Sequence, residues 1–243
     1  LPDFLPGYQS VADAQVRRKF EERWGVRLPA DAGLTALEIM EQAKEGKIKG
    51  IYIIGENPAL SFPHPRLITE ILASLDFLVV QDIFLTETAR PANVILPAAS
   101  FAEKEGTFTN FEGRVQMVQK AIEPLGESLP DWEIILRLAG KMESPIPYSS
   151  PQQVMDEIAD SCKLSAYSLY EGVGYAESEA KSLYQAESGS YWGVGRIHGG
   201  QFLRGFARFC PVEYVPPTRA KGDYPFTLLT GATLYHFGAG SRS

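Results

Sequence analysis

Ile48-Lys49-Gly50-Ile51-Tyr52-Ile53-Ile54 runs straight into Gly55-Glu56-Asn57-Pro58, and this stretch decides the fold. A continuous β-branched and aromatic run of this length predicts a strand buried on both faces. The glycine, asparagine and proline that follow end it in a turn. Working forward, Pro65–Ser74 carries Leu67, Ile68, Ile71 and Leu72 at helical spacing, with Leu75 just beyond. Phe77–Val80 then reads as a second buried strand and Asn93–Leu96 as a third. Strand, helix, strand at this spacing predicts a right-handed βαβ unit in a parallel sheet, and so an α/β fold. Working back, Thr35 with Glu38 forms a capping box before Leu37, Met40 and Ala43, and Gly46 ends that helix. Val16, Phe20 and Trp24 mark one face of an earlier helix that stops at Gly25. Leu1–Gly7, with two prolines and a glycine, reads as irregular.

Further on, Ser128 to Lys141 predicts a helix. Ser128 and Asp131 suit its cap, Pro130 its first turn, and Trp132, Ile135, Leu136 and Ala139 its buried stripe. After Pro145 the character changes. Pro147, Pro151, a short amphipathic helix near Val154–Cys162 and a Gly/Ser/Tyr-rich stretch to Gly205 read as a loosely built connector. A boundary falls near Pro216-Pro217, and Tyr224–Gly231 is strand-like again.

The chain has 243 residues, 44% hydrophobic and 22% charged, enough to bury a core. Its net charge of -7 argues against a nucleic-acid or anionic-membrane surface. No apolar run is long enough to span a bilayer. Cys162 and Cys210 by themselves make neither a disulfide framework nor a Cys-rich metal site. They read as free thiols of a reducing compartment, the cytoplasm, with a single disulfide left open. The lack of an initiator Met and the stop at Gly240-Ser241-Arg242-Ser243 suggest a piece of a longer protein, in which one sheet face or edge would be uncovered.

In an open parallel sheet, ligands sit at the carboxyl ends of the strands. There the first strand leads into Asn57 and the second into Gln81-Asp82. A carboxylate there suits a guanine edge, and an amide suits a base or ribose. The plainer alternative is that Asn57 builds a turn and Asp82 caps the next segment. Thr86, Thr88, Lys104, Thr107 and Thr109 form a polar group near those loops. Lys104 suits a phosphate, or is simply a solvated lysine. Asp131 is a site residue, or only a helix cap. The Gly193-Val194-Gly195 and Gly199-Gly200 stretch follows no buried strand, so it fails as a dinucleotide fingerprint. His64, between prolines, reads as exposed. No metalloprotease His-Glu-x-x-His and no Gly-x-Ser-x-Gly elbow is present.

Several motifs together resemble the molybdopterin oxidoreductases. They are Gly55-Glu56-Asn57-Pro58, the run from Val79 to Ala89, Val94-Ile95-Leu96-Pro97, Phe101 to Asn110, Arg114-Val115-Gln116 and Asp131-Trp132-Glu133-Ile134. The catalytic alpha subunits of formate dehydrogenases are the nearest in kind, and the match includes Leu1-Pro2-Asp3 and Leu5-Pro6-Gly7-Tyr8-Gln9. The resemblance implies a partial Rossmann-like cofactor domain over 1–143 and an irregular, partly helical connector over 144–220. It implies the truncated start of a C-terminal double-psi β-barrel over 221–243. It implies molybdenum or tungsten held by pterin guanine dinucleotides, with a 4Fe-4S cluster in a part of the protein upstream of these residues. Formate, or a similar small substrate, and iron–sulfur electron-transfer subunits would be the partners.

By motif position, Asn57, Gln81 and Asp82 would contact the guanosine end of the cofactor. Thr86, Lys104 and Asp131 would also line it, and Thr230, Gly231 and His236 would touch a pterin from the barrel side. No catalytic residue and no metal ligand falls in this stretch by the same comparison. Three positions depart from the family's usual pattern: Gly113-Arg114 for Arg-Arg, Thr230-Gly231-Ala232 for Thr-Gly-Arg, and Ala92-Asn93 for Ala-Asp. They keep open an alternative, a scaffold like the large subunit at the NADH end of respiratory complex I, with no metal catalysis of its own. A free-standing nucleotide-binding module is the third reading.

Overall fold

The computed structural model describes residues 2–7, 9–109 and 115–163, with positions 209, 211 and 213 beyond them. The chain opens with β1 (Phe4–Leu5) and β2 (Gln9–Ser10), paired antiparallel. Helix α1 (Ala14–Trp24) starts where Asp13 accepts from the amide of Gln15 at 2.8 Å and stops at Gly25, whose φ of 66° is left-handed. On its inner face Phe20 is wholly buried. Helix α2 (Ala36–Lys44) begins with the expected capping box. The Thr35 amide donates to the Glu38 carboxylate at 2.7 Å, and the Thr35 hydroxyl takes the Glu38 amide at 3.4 Å.

Strand β3 (Gly50–Ile54), the short helix α3 (Pro58–Ser61), helix α4 (Pro65–Ala73), strand β4 (Phe77–Asp82) and strand β5 (Val94–Pro97) follow. The three strands form one sheet in the order β3-β4-β5, both pairings parallel, as expected. Helix α4 is held by Ile68, Ile71 and Leu72, which pack with Met40 and Ala43 of α2 on Ile53, Leu78 and Val80. Burying each of these larger side chains contributes about 1.5–3 kcal/mol, and α4, with no side-chain cap of its own, depends on that burial.

Strand β3 departs from its reading as a strand buried on both faces. The two-residue period sends Ile53, Leu78 and Val80 under the helices, while Tyr52, Ile54, Phe77 and Val94 on the opposite face are 36–51% exposed. The reason is that α2 and α4 join one and the same core cluster, so both cover the same side. Apolar content alone told of a strand, not of how many layers cover it.

An antiparallel hairpin not foreseen from the pattern follows, β6 (Gly106–Thr109) with β7 (Val115–Val118). Helix α5 (Asp131–Lys141) is shorter than the reading from Ser128, and Pro130 precedes it without any side-chain cap. Its expected buried stripe is only half-covered: Trp132, Leu136 and Ala139 are half-buried, Ile135 is exposed, and Ile134 is the buried residue. Pro97 and Ala99 bond the backbone of Leu129 at 3.2 and 2.8 Å, so the start of α5, rather than its side, is what is fastened to the sheet.

Helix α6 (Pro151–Lys163) lies in the stretch read as a connector and contains the amphipathic helix expected there. It is fastened to α1 by polar groups. Arg23 pairs with Asp160 at 2.5 Å, and Trp24 Nε1 donates to Glu157 at 2.8 Å. The Tyr148 hydroxyl donates to Glu157 at 2.5 Å, and burial, helped by that carboxylate, pushes its pKa up to about 12. Among the described residues, no helix is long and apolar enough to cross a membrane.

Candidate functional site

Register fixes which loops meet. Ile54 lies opposite Gln81, and Gln81 opposite Leu96. The turn beginning at Gly55 and the side chain of Asp82 therefore leave the same carboxyl edge from adjacent strands. Gly55 extends the ladder by one bond, donating to the Gln81 carbonyl at 2.8 Å, with a φ of 63° that a side chain would strain. Asn57 thus follows, and Asp82 closes, strands that end on one rim of the sheet. Two polar assemblies are built on this edge.

The first is centred on Asn57. Its Oδ1 accepts from the Thr88 hydroxyl at 2.7 Å and from the Thr88 amide at 3.3 Å. The same hydroxyl accepts from the Ala59 amide at 3.1 Å, and Asn57 Nδ2 donates to Glu87 at 2.9 Å. That amide is the main reason the Glu87 carboxyl sits below its ordinary range. Thr88 is wholly buried. Asn57 therefore ties the loop after β3 to the loop after β4, which is more than building a turn before Pro58.

The second assembly is a chain of four side chains. The Tyr52 hydroxyl donates to the Gln81 carbonyl oxygen. Gln81 Nε2 donates to Asp131 Oδ1 at 2.7 Å, and Lys104 Nζ pairs with Asp131 Oδ2. Gln81 is wholly buried, whereas the side chains of Lys104 and Asp131 keep 21% and 36% of their surface. Lys104 is thus not a free solvated lysine, and Asp131 spends its carboxylate on Gln81 and Lys104. Burial and the negative charge of Asp131 both raise the pKa of Tyr52, which keeps its hydroxyl a donor.

Asp82, the last residue of β4 and next to Gln81 in the chain, is half-buried. Its Oδ1 accepts from the amides of Ile83 at 2.7 Å and Phe84 at 3.2 Å, the capping role its plainer alternative describes. Among the described residues no bond is made to its second oxygen. The Thr86 hydroxyl closes a turn by accepting from the Ala89 amide at 3.3 Å. Thr107 belongs elsewhere, its hydroxyl meeting Met155 Sδ of α6 at 3.6 Å. His64 is exposed at the start of α4, in neither assembly. Thr230, Gly231 and His236 lie outside the described residues. Among the described residues no group of three or more His, Cys, Asp or Glu side chains is placed to hold a metal ion.

Sequence reasoning singled out Asn57, Gln81, Asp82, Thr86, Thr88, Lys104 and Asp131 but missed Tyr52 and Glu87. The signal for Tyr52 was there. With Tyr52 opposite Val79 in a parallel pair, the period of two puts Tyr52 and Gln81 on one face. Glu87 carries no such sign, because its partner lies across two loops.

The model of the molybdopterin oxidoreductase family matches residues 8–141. The F420-dependent formate dehydrogenase subunit alpha of Methanocaldococcus jannaschii is 40% identical over 249 residues, covering 100% of this chain and 36% of that protein. The putative formate dehydrogenase YrhE of Bacillus subtilis is 37% identical, covering 100% of this chain and 24% of that protein. The chain therefore spans between about a quarter and about a third of these curated relatives. Acetylene hydratase from Pelobacter acetylenicus matches in structure with a TM-score of 0.47 and 20% identity, over 60% of this chain and 21% of that one. With a family model matching more than half its length, this chain belongs to the molybdopterin oxidoreductases.

Proposed function

We propose that the chain is part of a formate dehydrogenase-type catalytic subunit. In this reading the carboxyl edge of β3 and β4 holds the guanosine diphosphate end of a molybdopterin guanine dinucleotide. One observation carries the reading: on that edge stand a cation, Lys104, fixed by Asp131, and a carboxylate, Asp82, with an oxygen to spare. A nucleotide needs this pair of groups. The ammonium keeps donors beyond the one aimed at Asp131, and phosphate oxygens accept them. The free oxygen of Asp82 accepts from the N–H groups of a guanine edge. Asn57 and Thr86 hold the two loops that frame the base, and Gln81 and Asp131 form the wall behind Lys104. Thr230, Gly231 and His236 would approach a pterin from the barrel side.

When bound, the cofactor supplies two-electron redox chemistry at molybdenum or tungsten. The described residues of this chain bind and orient it. Formate would leave as CO2, giving up a proton and two electrons, with the electrons passing through a 4Fe-4S cluster to iron–sulfur partner subunits in the cytoplasm. The relatives' names, formate dehydrogenase and subunit alpha, support the substrate and the multi-subunit setting.

The test uses the full-length subunit. Asp82→Ala is expected to lower molybdenum or tungsten and guanine nucleotide content together, because each charge-assisted bond contributes about 1.5–3 kcal/mol. Unchanged content would remove the guanine site from this edge. A wild-type protein with neither metal would favour the scaffold reading instead.

A further inference from the structure

We infer that Tyr52 and Gln81 are positioning residues that act on the bound nucleotide only through Asp131 and Lys104. The inference rests on the reading that Lys104 meets phosphate, and it assigns Gln81 a role different from direct contact. Gln81 is wholly buried and both ends of its amide are used inside the protein, the oxygen by Tyr52 and the nitrogen by Asp131. Each end of the amide keeps a second hydrogen-bonding position, but the residue is wholly buried, so a ligand would have to displace the side chains that cover it to reach either one.

The amide has one workable orientation. Turned over, it would set its oxygen against the Asp131 carboxylate, and two acceptors cannot bond. Asp131 therefore fixes the amide nitrogen, and the Tyr52 hydroxyl satisfies the oxygen that remains. The phenol is suited to this because it keeps its proton at neutral pH and can donate it to the amide oxygen. With Oδ1 held by Gln81, Oδ2 of Asp131 faces Lys104. The four-carbon lysine stem is then ordered before a ligand arrives, so binding need not remove its rotamer freedom. Three elements far apart in sequence, β3, β4 and the start of α5, thus converge on one ammonium group.

A double-mutant cycle on the full-length holoenzyme tests this. The readout is guanine nucleotide retained per subunit after dialysis at increasing salt, released by acid and quantified. Lys104→Ala is expected to lower retention about tenfold, the equivalent of one charge-assisted bond. Tyr52→Phe is expected to lower it about threefold when Lys104 is present, and to have no further effect when Lys104 is already alanine. A merely structural tyrosine would give the same loss in both backgrounds, and that result overturns the inference while leaving the nucleotide site in place. Full retention in Tyr52→Phe overturns it as well. Full retention in Lys104→Ala would sink the nucleotide reading and the inference with it. Should Tyr52→Phe not fold, Gln81→Leu enters the same cycle with the same expected pattern.

Discussion

The two polar assemblies share one sheet edge and do different things. Around Asn57, a buried hydroxyl, a backbone amide and one exposed carboxylate satisfy one another, and the outcome is a fixed pair of loops. Around Gln81, the chain ends on a charged pair that keeps part of its surface open. Internal satisfaction stabilises a loop, whereas a charge held but not enclosed is available to a ligand. Proximity to the carboxyl edge alone did not distinguish them, since the sequence placed Asn57, Gln81, Asp82 and Lys104 in one group.

Breaking each assembly in turn should separate stability from binding. The yardstick is Leu72→Ala, which empties a core site that is 1% exposed and belongs to neither assembly. We expect a loss of roughly 2–5 kcal/mol, read as faster hydrogen exchange at β3 and β4 amides. Next comes Asn57→Ala, which leaves the buried Thr88 hydroxyl without its acceptor. Its expected cost is roughly 1–3 kcal/mol, read in the same way; no change in exchange at the 83–93 loop would show that the loops hold without it. Lys104→Ala should cost less than about 1 kcal/mol, because its pair is partly exposed, while guanine nucleotide content falls. A reversal of these last two, with Lys104 the greater stabiliser, would undo the contrast.

The smallest effects are in pH. The Glu87 carboxyl is lowered by the Asn57 amide, so its share of stability is present above the ordinary carboxylate range. That share is lost as pH falls through the lowered folded value, and Glu87→Gln should flatten the acid limb of the unfolding profile. Tyr148 gives the opposite sign. Its pKa is raised to about 12, so its contribution is whole below the ordinary tyrosine value near 10. The contribution is lost as pH climbs through the folded value, and Tyr148→Phe should flatten the alkaline limb between them.

Much of the fold was legible because it is written in local pattern. The β3–α4–β4–β5 order followed from apolar runs and turns, α1 from Phe20 and Gly25, and α2 from Thr35 and Glu38. What escaped depends on distant partners. The half-open state of β3 depends on which side the helices choose, and the stripe on α5 is only half-covered, in a helix whose lead-in at Leu129 is fastened to the sheet. At the site, Asp82 and Lys104 could be picked out by charge and place. The Tyr52–Gln81 link needs the register of two strands, and the Gln81–Asp131 link needs a helix that starts 50 residues later.

That separation has a consequence for how the protein is made. A nascent chain that has emerged only through β5 can already pair its three strands, and it contains neither Lys104 nor Asp131. The ammonium acquires its anchor only once Asp131 is out and the strand edge at Leu129 has closed on Ala99. At this rim, therefore, any ligand that needs an anchored Lys104 can be held only after Asp131 has emerged and paired with it.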